Sequence, residues 1–73
     1  MLVEKYRVTR DITPEECHWL SRTYKKGEIL YEYIGYTYGC ISPKGIAICD
    51  NPDGVTTPFH EFPKNAIEIV NQP

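Results

Sequence analysis

Five side chains in this 73-residue sequence are of the types that bind zinc or serve a nucleophile: Cys17, His18, Cys40, Cys49 and His60. Their spacing argues against a metal. Structural zinc sites use close pairs such as C-x2–4-C, whereas Cys17 and His18 are adjacent and would point in different directions on a helix. A thiolate nucleophile needs a base within hydrogen-bond reach, and Cys40 or Cys49 with His60 has the right chemistry, but nothing in the sequence places them together. There is no Gly-rich phosphate loop, nucleophile elbow or His-Glu metal motif. The expectation is a protein that is not an enzyme and carries no metal or cofactor, its cysteines acting as small buried hydrophobes.

The tyrosines are the more unusual feature. Four of the six, Tyr31, Tyr33, Tyr36 and Tyr38, form two i, i+2 pairs that would each share a face of a strand. Such rings can fill the core of a small barrel, stack on single-stranded nucleic acid, or anchor a protein partner. Charge separates the last two. Nucleic-acid platforms surround the bases with Lys and Arg, whereas Glu28 and Glu32 flank these tyrosines; Lys25, Lys26 and Lys44 are the cations such a site would use. A protein partner, or a second copy of the chain, is favoured, because tyrosine brings large rigid contact area at low entropy cost.

The charge balance agrees. Eight basic and ten acidic residues give −2, divided unevenly into about +2 over residues 1–26 and −4 over residues 27–73. That argues against a protein held on nucleic acid by phosphate contacts. Three cysteines cannot all be paired within one chain, and the N-terminal stretch has Lys5, Arg7 and Arg10 with no apolar h-region. No apolar run approaches the ~20 residues that cross a bilayer. A reducing, cytoplasmic setting with no membrane contact is expected.

Positioning these residues requires one small domain over residues 1–73, since so short a chain builds a single core. Residues 2–9 alternate as a strand. Thr13-Pro14-Glu15-Glu16 predicts a helix start, with Thr13 as cap and Glu16 closing a capping box, and a short helix over residues 14–20 that lays Cys17, Trp19 and Leu20 on a sheet. Residues 28–41 predict one long strand bulged at Gly35. After the Ser42-Pro43-Lys44-Gly45 turn come a strand over 45–49, the Asn51-Pro52-Asp53-Gly54 turn, and a strand over 56–62 that Pro58 confines to an edge. A single 3₁₀ turn at 63–65 and a strand over 66–70 close the chain.

Two segments resemble the SH3 family of small β-barrels. Ile29-Leu30-Tyr31-Glu32-Tyr33 is similar to its ALYDY motif, and Phe62-Pro63-Lys64-Asn65-Ala66-Ile67-Glu68 to its closing FPSNYVE. The resemblance implies a peptide groove carried over to Tyr31, Tyr33, Pro63 and Asn65, although Ala66 stands where the groove tyrosine belongs and the groove tryptophan has no counterpart. The sum is a mainly β fold: a five-stranded SH3-like small barrel or meander with one short helix. Its expected function is that of an accessory regulator or inhibitor, of the kind phages and mobile elements carry. It would bind a protein through Tyr31, Tyr33, Tyr36, Tyr38 and Pro63, with single-stranded nucleic-acid binding as the alternative.

Overall fold

A computed structural model describes residues 3–70. Five strands, β1 (Lys5–Val8), β2 (Ile29–Glu32), β3 (Gly45–Cys49), β4 (His60–Pro63) and β5 (Ile67–Ile69), form one antiparallel sheet in the order β4-β3-β2-β1-β5. The sheet is open, and among the described residues nothing pairs β4 with β5. Neither does any helix reach the length and apolarity needed to cross a membrane.

Strand alternation gives the sheet two faces. Tyr6 and Val8 of β1, Leu30 of β2, Ile48 of β3 and Phe62 of β4 point inward to the main core. Tyr31, Ala47 and Cys49 point the other way, into a smaller cluster with Tyr33, Ile41 and Phe59. The main core is closed by the excursion 9–28 between β1 and β2, which folds across the inner face. Ile12 and Tyr24 clamp it with two backbone bonds of 2.8 Å, and both are buried with Cys17 and Leu20. The Tyr24 ring meets Phe62 edge-on at 4.9 Å.

The expected helix over 14–20 is not there. The Thr13 carbonyl accepts the Glu16 and Cys17 amides at 3.0 and 2.9 Å, Leu20 bonds back to Cys17 at 3.0 Å, and the segment amounts to two successive turns. Thr13 does cap, its hydroxyl accepting the Glu16 amide at 3.3 Å. The capping box fails because the Glu16 carboxylate is taken by Arg10, whose guanidinium bonds both its oxygens at 2.7 and 2.8 Å, a stronger charge-assisted pair. So short a helix gains too little from its own bonds to compete with returning Tyr24 to Ile12.

The long strand expected over 28–41 also stops early, at Glu32. Tyr33 still donates to Ala47 at 2.9 Å, but the Ile34 amide turns to the Gly54 carbonyl at 2.7 Å, and the ladder with β3 is lost. What was expected as a bulge at Gly35 is the chain leaving the sheet. The strand expected over 56–62 begins only at His60. Before it, the Asp53 carboxylate holds the Val55 and Thr56 amides at 2.8 and 2.9 Å, and Pro58, joined to Thr57 by a cis bond, has no N–H for a ladder. β4 is an edge strand, as Pro58 implied. β3 and the 3₁₀ turn, here Lys64–Ala66, follow the sequence expectation closely, and β1 and β5 lie inside their expected spans; Leu2 lies outside the described residues.

Candidate functional site

The four tyrosines stay in pairs, for two different reasons. Tyr31 and Tyr33 share the outer face of β2 and its continuation. Tyr33 is only 8% exposed; its ring lies flat on Phe59, centroids 4.3 Å apart and planes 12° from parallel. The same ring covers Gly35, where any Cβ would sit 2.5 Å from the tyrosine oxygen. Tyr33 is thus the centre of the smaller cluster, and Tyr31 is a half-buried neighbour of it.

Tyr36 and Tyr38 belong to the loop that leaves the sheet, and each is 73% exposed. Tyr38 and Gly39 take positive φ of 58° and 72°, and the two rings lie 4.3 Å apart, tilted by 32°. A stacked aromatic pair facing solvent gains little for the fold. The loop beneath it is fixed from two sides, by the bond from the Ile34 amide to the Gly54 carbonyl and by the Tyr33–Phe59 stack.

Those two contacts join loops that are both free of charge. Residues 33–43 and 54–59 contain no Asp, Glu, Lys, Arg or His. Ile34 and Val55, one on each run, are exposed as well. Two acids near the margins of these runs, Asp53 and Glu61, are already engaged. Asp53 is held below the usual carboxylate range, first by the Thr56 hydroxyl and then by the Val55 and Thr56 amides. The Glu61 carboxylate lies over Gly45 and accepts the Ser42 amide at 3.0 Å as well as its hydroxyl.

Pro63 is elsewhere. It lines a recess with Trp19, Lys44 and Glu61 that none of the four tyrosines enters, so Tyr31, Tyr33 and Pro63 do not form one groove. The Asn65 side-chain oxygen accepts Arg10 at 3.0 Å and serves the fold. Lys25 and Lys26 sit at the turn before β2, bound to Asp11 through the Lys25 ammonium at 3.8 Å and the Lys26 amide at 2.8 Å. Tyr36 and Tyr38 lie beyond the opposite end of the same strand. Lys44 belongs to the Pro63 recess.

The structure does bring Cys40 and His60 into one recess, lined also by Trp19, Ile41 and Phe59, while Cys49 is buried with its thiol donating to the Asn51 carbonyl at 3.3 Å. Cys17 is buried too, and burial pushes its thiol pKa up. All three cysteines are free. Among the described residues no group of three or more His, Cys, Asp and Glu comes together to hold a metal.

No family model, curated protein or solved structure matches the chain. The site therefore stands on its geometry. Sequence reasoning found its tyrosines but missed Ile34, Val55 and Phe59. The signal for them was present in two uncharged runs separated by an apolar strand flanked by Lys44, Asp50 and Asp53, and only the fold shows that the runs touch.

Proposed function

We propose that this chain is a protein-interaction module that docks a protein partner with its uncharged aromatic end. Tyr36 and Tyr38 are the anchors, Ile34 and Val55 extend the contact, and Tyr31 with the Tyr33–Phe59 stack supports the loop from below. One observation carries the reading: two exposed tyrosines in mutual ring contact stand on a patch built from two charge-free loops. Interface centres are depleted of charge and rich in tyrosine, and a loop fixed before binding loses little entropy on docking. In this reading the sheet is an SH3-like scaffold, and the molecule acts by occupancy, as a regulator or inhibitor. The free cysteines support a reducing, cytoplasmic setting.

Affinity purification of the tagged chain from its native cell, in parallel with a Tyr36→Ala/Tyr38→Ala variant, tests the proposal. A protein that binds the wild type and is lost with the variant is expected, each tyrosine accounting for more than about 1 kcal/mol. The variant should remain folded, because both rings are exposed. A partner recovered equally by both forms would overturn the assignment. So would micromolar, salt-sensitive binding of a single-stranded oligonucleotide that depends on the same rings. The distance of Lys25 and Lys26 from the tyrosines weighs against that outcome.

A further inference from the structure

The sheet has two edges, and the chain treats them differently. At β4, the bond from the Lys64 amide to the Lys44 carbonyl, 3.0 Å, sets the phase of the ladder: His60 and Phe62 bond to β3, and Glu61 and Pro63 turn their backbone groups outward. Both are blunted. Pro63 has no N–H, and the Glu61 carbonyl accepts the Trp19 indole N–H at 2.8 Å. At β5, the bonds from the Thr9 amide to Ala66 and from the Val70 amide to Lys5, both 2.8 Å, set the opposite result. Glu68 bonds to β1, while Ile67 and Ile69 turn their backbone groups to the free edge; the Ile67 N–H closes the 3₁₀ turn onto Lys64, which leaves the Ile67 carbonyl and both groups of Ile69 facing outward. Ile69 is 52% exposed, and beside it Tyr6, Ile46 and Ile67 line a recess of about 270 Å³ that Lys64 and Glu68 also border. An open edge next to a largely apolar recess is a template for an added strand.

We infer that the β5 edge receives an extended segment of a partner protein as a sixth strand, with a basic side chain opposite Glu68 between two apolar side chains opposite Ile67 and Ile69. Residues directly opposite share a face, so the apolar pair lies over the recess. The basic one reaches the outer face, where the Glu68 carboxylate is about half exposed and only loosely held by Arg7 at 3.6 Å. A second copy of the chain fits less well. The symmetric pairing that opposes Ile67 to Ile69 sets Glu68 against the copy's own Glu68, a like-charge pair at the closest cross-strand spacing.

The test uses the whole chain, isotope-labelled, and a blocked short peptide of alternating valine and lysine as the probe. Saturable binding is expected, with slowed amide exchange at Ile69. Affinity should fall about tenfold or more when the valine amides are N-methylated, or when glutamate replaces lysine. Ile69→Pro, which removes one outward N–H and no bond to β1, should weaken binding likewise. The N-methylated probe gives the same reading on the unaltered chain should that proline disturb the strand. The Tyr36→Ala/Tyr38→Ala variant should bind the probe as the wild type does, so this edge and the tyrosine patch stand or fall separately. Absence of saturable binding, effects confined to other residues, or indifference to N-methylation would overturn the inference. Protection of Ile69 that rises with protein concentration alone would also overturn it, by giving the edge to a second copy.

Discussion

Cysteine behaviour is set one residue at a time. Cys40 is exposed on the loop, whereas Cys17 and Cys49 are enclosed by the main core and the outer cluster respectively. A thiol reagent should therefore modify Cys40 at once in the native protein and the other two only on unfolding. Under denaturing, non-reducing conditions all three should titrate; a lower count would mean a disulfide. Glu28 makes a second residue-scale case. Its oxygens accept Arg22 at 3.0 and 3.1 Å and the Lys25 amide at 2.7 Å, and the Arg22 bond is the largest cause holding the carboxyl below its usual range. A carboxyl more acidic folded than unfolded stabilises the fold above its unfolded pKa, about 4.3. That contribution is lost as pH falls through the lower folded value. Glu28→Gln should cost about 1 kcal/mol near neutral pH and make the acid-side fall in denaturation midpoint shallower. An acid limb unchanged by the substitution would show that the carboxylate is not held this way.

At the scale of elements, Glu61 ties β4 to its surroundings. Its carbonyl takes the Trp19 indole, and its carboxylate bonds Ser42 across Gly45, a strand position where a Cβ would collide with that carboxylate. Gly45→Ala must push the Glu61 side chain off Ser42 and should cost about 1–3 kcal/mol. In a Glu61→Ala background the same substitution should cost almost nothing, since the obstruction is gone. Urea midpoints for the four proteins measure the coupling; equal cost of Gly45→Ala in both backgrounds would mean that the close approach is unimportant.

For the whole molecule, stability rests on the inner face. Phe62 is fully buried between β3 and the folded-over excursion, in edge-on contact with Tyr24. Phe62→Ala should cost about 3–5 kcal/mol, comparable with everything a domain this small gains from its core. Loss of a cooperative thermal transition is the expected result. A variant that still melts cooperatively near the wild-type temperature would place the stabilising contacts elsewhere, in the outer cluster or in the excursion's ion pairs.

Much of this organisation was legible locally. Alternation in residues 5–8 and 45–49 marks strands because each side chain's face follows from its position alone, and Pro63 announces the 3₁₀ turn by its fixed φ. Thr13 was recognisable as a cap, and the tyrosine spacing pointed to the loop that carries the exposed rings. Where the sequence misled, a distant partner had won. The helix over 14–20 lost to Arg10 holding Glu16 and to Tyr24 pairing with Ile12, and the long strand after Glu32 lost to Gly54 taking the Ile34 amide. Residue types by themselves specified a small β protein rich in tyrosine and poor in catalytic groups. Tertiary structure alone decided which tyrosines are buried, that two uncharged loops meet through Ile34 and Gly54 and through Tyr33 and Phe59, and which edge of the sheet stays open. Each of those depends on register and on contacts between residues far apart in the chain, which local propensity does not encode.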